Sequence, residues 1–225
     1  MFNKFRKVSN LKSSINLLFW FIILQIFSLH FNFTTLAEEP KNYLKGKFYE
    51  SVKDNFLVAT EKMNDPRFEK TVIAMFENDE NGSWGLVINK PLGLIPLGKL
   101  IDLSENSNSN KKDLYNVEIP IFWGGPVDIN KILILHSKEY ESETTKNYEN
   151  ISISSDYKTL LEIADNKGPK NKLVILGISS WGDGQLEGEM ERDGWILSEI
   201  NADLIFEEDN LKKWINALNN SFVRL

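Results

Sequence analysis

The chain has no cysteine, which excludes a disulfide framework, a thiolate zinc site and a cysteine nucleophile. Histidine is nearly as scarce. Of the two, His30 falls in an apolar leader, so His136 is the one imidazole of the body, too few for a multi-histidine metal site. Nothing in the pattern supports a carboxylate-only magnesium or calcium site, and neither metal nor cofactor is expected. No hydrophobic run is as long as a membrane span. "LLFWFIIL", Leu17–Leu24, is the longest unbroken one, after which Gln25, Ser28, His30 and Asn32 break the pattern. Clustered basic charge is missing as well. Four of the 26 basic residues and none of the 32 acidic ones precede Glu38, so the body carries 22 against 32, a balance of −10. Such a body repels phosphate backbones, and nucleic acid is not an expected partner.

What is present divides into three segments. Residues 1–37 start basic (Lys4, Arg6, Lys7, Lys12) and are uncharged from Ser13 to Ala37, the layout of a signal peptide or membrane anchor. "TTLA" before Glu38 supplies Thr35 and Ala37 for a cleavage site. If the start is authentic, the protein is periplasmic or membrane-anchored, with membrane contact only through this segment. Residues 38–55 form a polar lead-in, and 56–225 form the folded domain. Without the leader about 190 residues remain, enough for one domain with a sizeable core.

Along the body, "FLVATE" reads as a strand and "NDPRF" as a turn with Asp65 as its former. Residues 70–90 read as a β-hairpin closed by Asn81–Gly82, both tolerant of positive φ. Pro96–Leu103 should be a short helix, and Ser104–Asp113 a polar surface insertion with no apolar face. "VEIPIFW", "KILILHS" and "ISISS" read as strands, followed by a helix capped by Ser155 or Asp156. "NKLVILGIS" is the most hydrophobic strand. "GWILSEI" and "ADLIFEE" also read as strands, and the last helix places Leu211, Trp214, Ile215 and Leu218 on its buried face. Hairpin strands first and alternating elements later point to an α+β fold with a mixed sheet rather than a strict βαβ array.

The chemistry concentrates in "GISSWGDGQLEGEMERDGW", residues 177–195. It is not a dinucleotide loop, because GxGxxxG is one residue too long and puts Glu187 where a helix must press on a strand. Nor is it a nucleophile elbow: an extra residue separates Ser179 from Gly182, and His136 precedes the serine. Glu187 and Glu191, like Glu189 and Asp193, are one helical turn apart and read as a solvated acidic face, with a ligand or partner site as the alternative. "FWGGPV" reads as a bend, although the amides of Gly124 and Gly125 have the makings of an anion nest.

"FLVATEKMNDPRFEKTVIAMFENDENGSWGLVINKPL", "FWGGPV" with "ILHS", and "KGPKNKLVILGISSWGDGQLEGEMERDGWIL" together resemble the AlgH/YqgE family of bacterial proteins, over about Phe56 to Asn219. The resemblance implies a single α+β domain in which a mixed, barrel-like β-sheet is surrounded by helices, and brings no established enzymatic activity; some members carry a transcriptional-regulator label. Matching positions are Asp65, Pro66, Arg67 and Phe68; Gly85, Leu86, Asn89 and Pro91; Gly124, Gly125 and Pro126; His136 and Ser137; and Trp181, Gly184, Gln185, Leu186 and Glu187. The apolar leader departs from the family, whose members look cytoplasmic. The expected function is a non-enzymatic binding or regulatory module that engages a protein or small molecule through Arg67, Asn89, Gly124, Gly125, His136, Ser137, Trp181, Gln185 and Glu187. An enzyme using His136 or Glu187 as acid/base on a small polar substrate, and a DNA-associated regulator, are the alternatives.

Overall fold

Eleven strands and five α-helices occupy the described residues, 52–103 and 112–222, of this computed structural model. The strands are β1 (Asn55–Ala59), β2 (Val72–Asp79), β3 (Gly82–Val87), β4 (Pro91–Pro96), β5 (Glu118–Trp123), β6 (Val127–His136), β7 (Lys146–Asn147), β8 (Ser152–Ser154), β9 (Lys172–Trp181), β10 (Trp195–Glu199) and β11 (Ser221–Phe222). The helices are α1 (Leu97–Leu103), α2 (Tyr157–Ala164), α3 (Gln185–Glu191), α4 (Ala202–Phe206) and α5 (Asn210–Asn219). The leader, the lead-in up to residue 51 and most of the Ser104–Asp113 insertion lie outside the described residues; Lys112–Asn116 forms a 3-10 turn.

The strand that the sequence marks as most apolar, β9, is the hub. Its first half lies between β5 and β6, and its second half pairs with β3. One arm of the sheet therefore runs β11-β10-β1-β2-β3-β9 and the other β4-β5-β9-β6-β8-β7. Only β5–β9 is parallel, and the whole curls into a half-barrel. This is the mixed sheet expected from the order of elements, with the barrel-like curl that the family resemblance implies.

Side-chain alternation explains why the central strands are apolar throughout. In β1, Phe56 and Val58 enter one cluster with Val72, Ala74, Phe76, Leu135 and Ile175, while Leu57 and Ala59 enter a second with Ile73, Met75, Trp195 and Leu197. Both faces are covered, so no polar side is needed. A third cluster joins α1 and α2 to the other arm through Leu97, Leu100, Ile134, Leu160 and Val174. Burying each large side chain contributes about 1.5–3 kcal/mol. Asp156 caps α2, its carboxylate accepting from the Thr159 amide at 2.8 Å.

Three local expectations need correction. The two-residue hairpin loop is Glu80–Asn81, one position earlier than read, with Gly82 already the first residue of β3 at φ 125°. "ADLIFEE" is not a strand: Asn201 caps a short helix by accepting from the Asp203 amide, and α4 buries the adjacent pair Leu204 and Ile205. The last helix is where expected but rotated. Leu211 is 91% exposed and Ile215 is exposed, whereas Lys213 and Ala217 are buried. Specific hydrogen bonds set that rotation: Trp214 donates from Nε1 to the Ala59 carbonyl at 2.7 Å, and Lys213 Nζ donates to the carbonyls of Ile205 (2.7 Å) and Ile88 (3.3 Å). The Lys213 ammonium also lies 5.8 Å from the Phe122 ring centre, and burial pulls its pKa down to about 8.

The two arms of the sheet meet at a backbone crossing. The Gly124 amide donates to Leu176 O at 2.8 Å, and Gly124 O accepts from the Val87 amide (3.1 Å) and Ser179 Oγ (2.9 Å). A Cβ on Gly124 would stand 2.2 Å from Gly177 O; one on Gly125, where φ is 147°, would stand 2.2 Å from Ile178 O. Both obstacles are backbone atoms of the hub strand, which cannot give way cheaply. Gly125→Ala should therefore cost about 3 kcal/mol or more, whereas Gly182→Ala, with open space around it, should stay within about 0.5 kcal/mol. Urea unfolding midpoints of the two variants test this.

Candidate functional site

Asp65, Pro66, Arg67 and Phe68 form a tight turn after β1. Asp65 Oδ1 accepts from the Arg67 amide at 3.0 Å, and the Phe68 amide donates to Asp65 O at 3.0 Å. The Arg67 guanidinium then returns to both carboxylate oxygens, Nε to Oδ1 at 3.0 Å and Nη2 to Oδ2 at 2.5 Å. These bonds hold the Asp65 carboxyl below the usual carboxylate range and raise Arg67 in turn. The turn directs Phe68 inward, where its ring meets Trp123 (5.5 Å between centres), Trp195 (5.6 Å) and Trp181 (6.4 Å).

Opposite this aromatic floor stands α3. Its Glu189 carboxylate receives three N–H donors: Trp195 Nε1 at 2.7 Å and Trp181 Nε1 at 3.1 Å on Oε2, and Gln185 Nε2 at 3.3 Å on Oε1. Gln185 also accepts from the Gly182 amide at 3.2 Å, tying the helix to the end of β9. Buried indole N–H groups need acceptors, and one carboxyl oxygen satisfies two at once. Between turn and helix lies a cavity of about 280 Å³. Met63, Phe68, Pro126 and Trp181 give it apolar walls, and polar side chains, the charged Lys62, Asp65, Arg67, Glu189 and Arg192 among them, make up most of the rest.

Arg67, Trp181 and Gln185 thus share this cavity, alongside the matching positions Asp65, Phe68 and Pro126. The other predicted residues lie elsewhere. Asn89 brackets the start of β2, accepting from the Val72 amide and donating to Lys70 O. Gly124 and Gly125 are buried beneath β9, and Gly124's amide is spent on Leu176, so the anion nest does not form there. Glu187 is not on a solvated face: it is 2% exposed, and burial raises its carboxyl, with Asp183 adding to the effect.

His136 is fully buried at the far end of the hub strand, opposite Lys172. Its Nδ1 donates to the Ser137 carbonyl at 2.8 Å, leaving Nε2 to accept from Ser154 Oγ at 2.9 Å. Ser137 closes the neighbouring loop, its hydroxyl 2.9 Å from Glu139 Oε1 and accepting from the Asn171 amide at 3.2 Å. Ser154 continues into a hydroxyl network with Thr145 and Ser142 that ends on Asp156. Lys172 and Trp181 stand nine positions apart along β9, a contour of roughly 30 Å at about 3.3 Å per residue, and both ring nitrogens of His136 are taken by Ser137 and Ser154, so the geometry supplies no acid/base pairing of His136 with Glu187.

Glu189 and Arg192 escaped the sequence reading of the site because the GQLE signature ends at Glu187. The available signal was the spacing of Gln185, Glu189 and Arg192 along one helical face, with Trp181 and Trp195 flanking them. Among the described residues no group of three or more acidic or histidine side chains could hold a metal, and no helix is long and apolar enough to cross a membrane.

A family model described as AlgH-like matches residues 56–225. A UPF0301 protein of Rickettsia canadensis is 32% identical over 179 residues, covering 79% of this chain and 92% of its own. Another, from Pseudomonas entomophila, is 35% identical over 156 residues, covering 69% and 80%. The solution structure of AlgH from Pseudomonas aeruginosa superposes with a TM-score of 0.64 at 28% identity, covering 76% of this chain and 88% of that one. A Corynebacterium diphtheriae protein, 15% identical with a TM-score of 0.55, shares the fold.

The His136 network has a pH signature. Burial pushes the imidazole below its ordinary 6.5, outweighing the Ser137 carbonyl and the carboxylates of Glu139 and Asp156, which act upward. The unfolded chain therefore takes up a proton first, and stability is lost as pH falls through 6.5 toward the folded value. Burial acts to raise Asp156, but bonds from Ser142, Thr144 and Thr159 overcome it and bring the pKa down to about 2, so a second loss begins only below about 3.8. Urea midpoints should fall between pH 7.5 and 5.5, with His136→Gln flattening that segment alone.

Proposed function

The chain belongs to the AlgH-like family, and we propose that it works as a binding module whose ligand or protein partner seats in the cavity between the Asp65–Phe68 turn and α3. One observation carries this reading: segments around residues 65, 126 and 181–192, distant in sequence, converge on a single concave surface where Met63, Phe68, Pro126 and Trp181 alternate with polar and charged side chains. Apolar walls beside polar groups that fix orientation are what a small-ligand site needs. The groups with chemistry to offer are already engaged, Asp65 by Arg67 and Glu189 by three donors, which suits orientation and recognition more than proton transfer.

Replacing Arg67 and Gln185 together by alanine changes two exposed cavity residues and spares the core. Wild type and variant, recovered from the same cells and compared by native mass spectrometry, should differ: the wild type carries a bound molecule or partner that the variant has lost. Both should melt within a few degrees of each other. Identical bound profiles would sink the proposal.

A further inference from the structure

The charges around the cavity are unequally committed. Lys62 pairs with Asp193 at 2.6 Å, and Arg67 is held by both oxygens of Asp65. Glu189 is satisfied by the two indoles and Gln185. Arg192, the residue that ends α3, lines the same cavity, yet among the described residues it makes no ion pair and no side-chain hydrogen bond. Its guanidinium lies back along the helix over Gly188, where an added Cβ would stand 3.6 Å from Nη1. A side chain at 188 would compete for that space. In a body with a balance of −10, the lining sets three cationic side chains against the two carboxylates of Asp65 and Glu189, and one of those cations is uncommitted.

We propose that the cavity takes a small ligand with a flat apolar body and a single anionic group. The body lies against Met63, Phe68, Pro126 and Trp181, and the anion meets the Arg192 guanidinium. This inference rests on the reading of the cavity as a ligand site and adds the chemistry of what enters it. A carboxylate suits the planar fork of a guanidinium, which can donate two parallel hydrogen bonds to it. Polyanions are disfavoured because the carboxyl groups of Glu189, one helical turn from Arg192, and Asp65 stand in the same lining. The apolar walls require the rest of the molecule to shed water, so inorganic phosphate or a free sugar acid lacks the part that would bind.

Three probes of one shape separate body from charge: 2-naphthoate, neutral 2-naphthamide and cationic 2-naphthylmethylamine. Each is titrated into the full-length protein while the indole N–H resonances of Trp181 and Trp195, both bonded to Glu189, are followed by NMR. The acid should bind at least about fivefold more tightly than the amide, with the amine weakest, and 0.5 M salt should erase the acid's advantage. Arg192→Gln should bring naphthoate to the level of the amide, with the amide losing less than the acid. Equal affinities for acid and amide, with the indoles still responding, would overturn the charge inference and leave the ligand site standing. An acid preference that survives Arg192→Gln would overturn the role given to Arg192. If none of the three moves either indole resonance, both this inference and the site it rests on fail.

Discussion

A single backbone crossing holds the two arms of the sheet in place. At Gly124, Gly125 and Gly177, two chain segments approach so closely that each glycine faces a main-chain oxygen of the other, at 2.2 to 2.5 Å from where a Cβ would stand. Gly177, with φ at 78°, changes the direction of β9 there, so one strand can pair with β5 and β6 before the bend and with β3 after it. The sheet is therefore not two sheets packed together. It is one surface bent about a shared strand, with apolar clusters on its faces that close only if the bend is made.

The cavity inherits its shape from that bend. Pro126 directly follows the crossing, and Trp181 lies at the end of the strand that passes through it. The Asp65–Phe68 turn is held from the other side by the ring contacts of Phe68 with three tryptophans. Glu189 joins the pieces: a single carboxylate fixes the orientation of two indoles and draws a seven-residue helix, too short to be stable alone, onto the end of β9. At this site packing and recognition use the same atoms. A change that loosens α3 alters the floor of the cavity at the same time.

The fold class, most strand positions, α1, α2 and α3 were legible in the sequence, because their apolar runs and caps act locally. What escaped depended on partners far away in the chain. Nothing within "ADLIFEE" tells a strand from a short helix until Asn201 caps it and Leu204 and Ile205 find the core. In the last helix, hydrophobicity placed Trp214 and Leu218 on the core side but also Leu211 and Ile215, whereas carbonyls at 59, 88 and 205 turn Trp214 and Lys213 inward. The motif residues were found as a set, but their division was not. Asn89, Gly124, Gly125 and His136 build the frame, and Arg67, Trp181 and Gln185 face the cavity. Motif matching reports that positions go together; it does not say whether they meet a ligand or each other.

Lys213 is the one buried lysine among the described residues, and its amine contacts only carbonyl oxygens and a ring face. Of the other lysines with a described side chain, Lys90 is half-buried and the rest stand toward solvent, open to acylating reagents at any moment. Lys213 can react only when the C-terminal helix lifts from β1 and β2. Its labelling is thus a clock on that helix's excursions, set by the fold itself and readable without adding a probe.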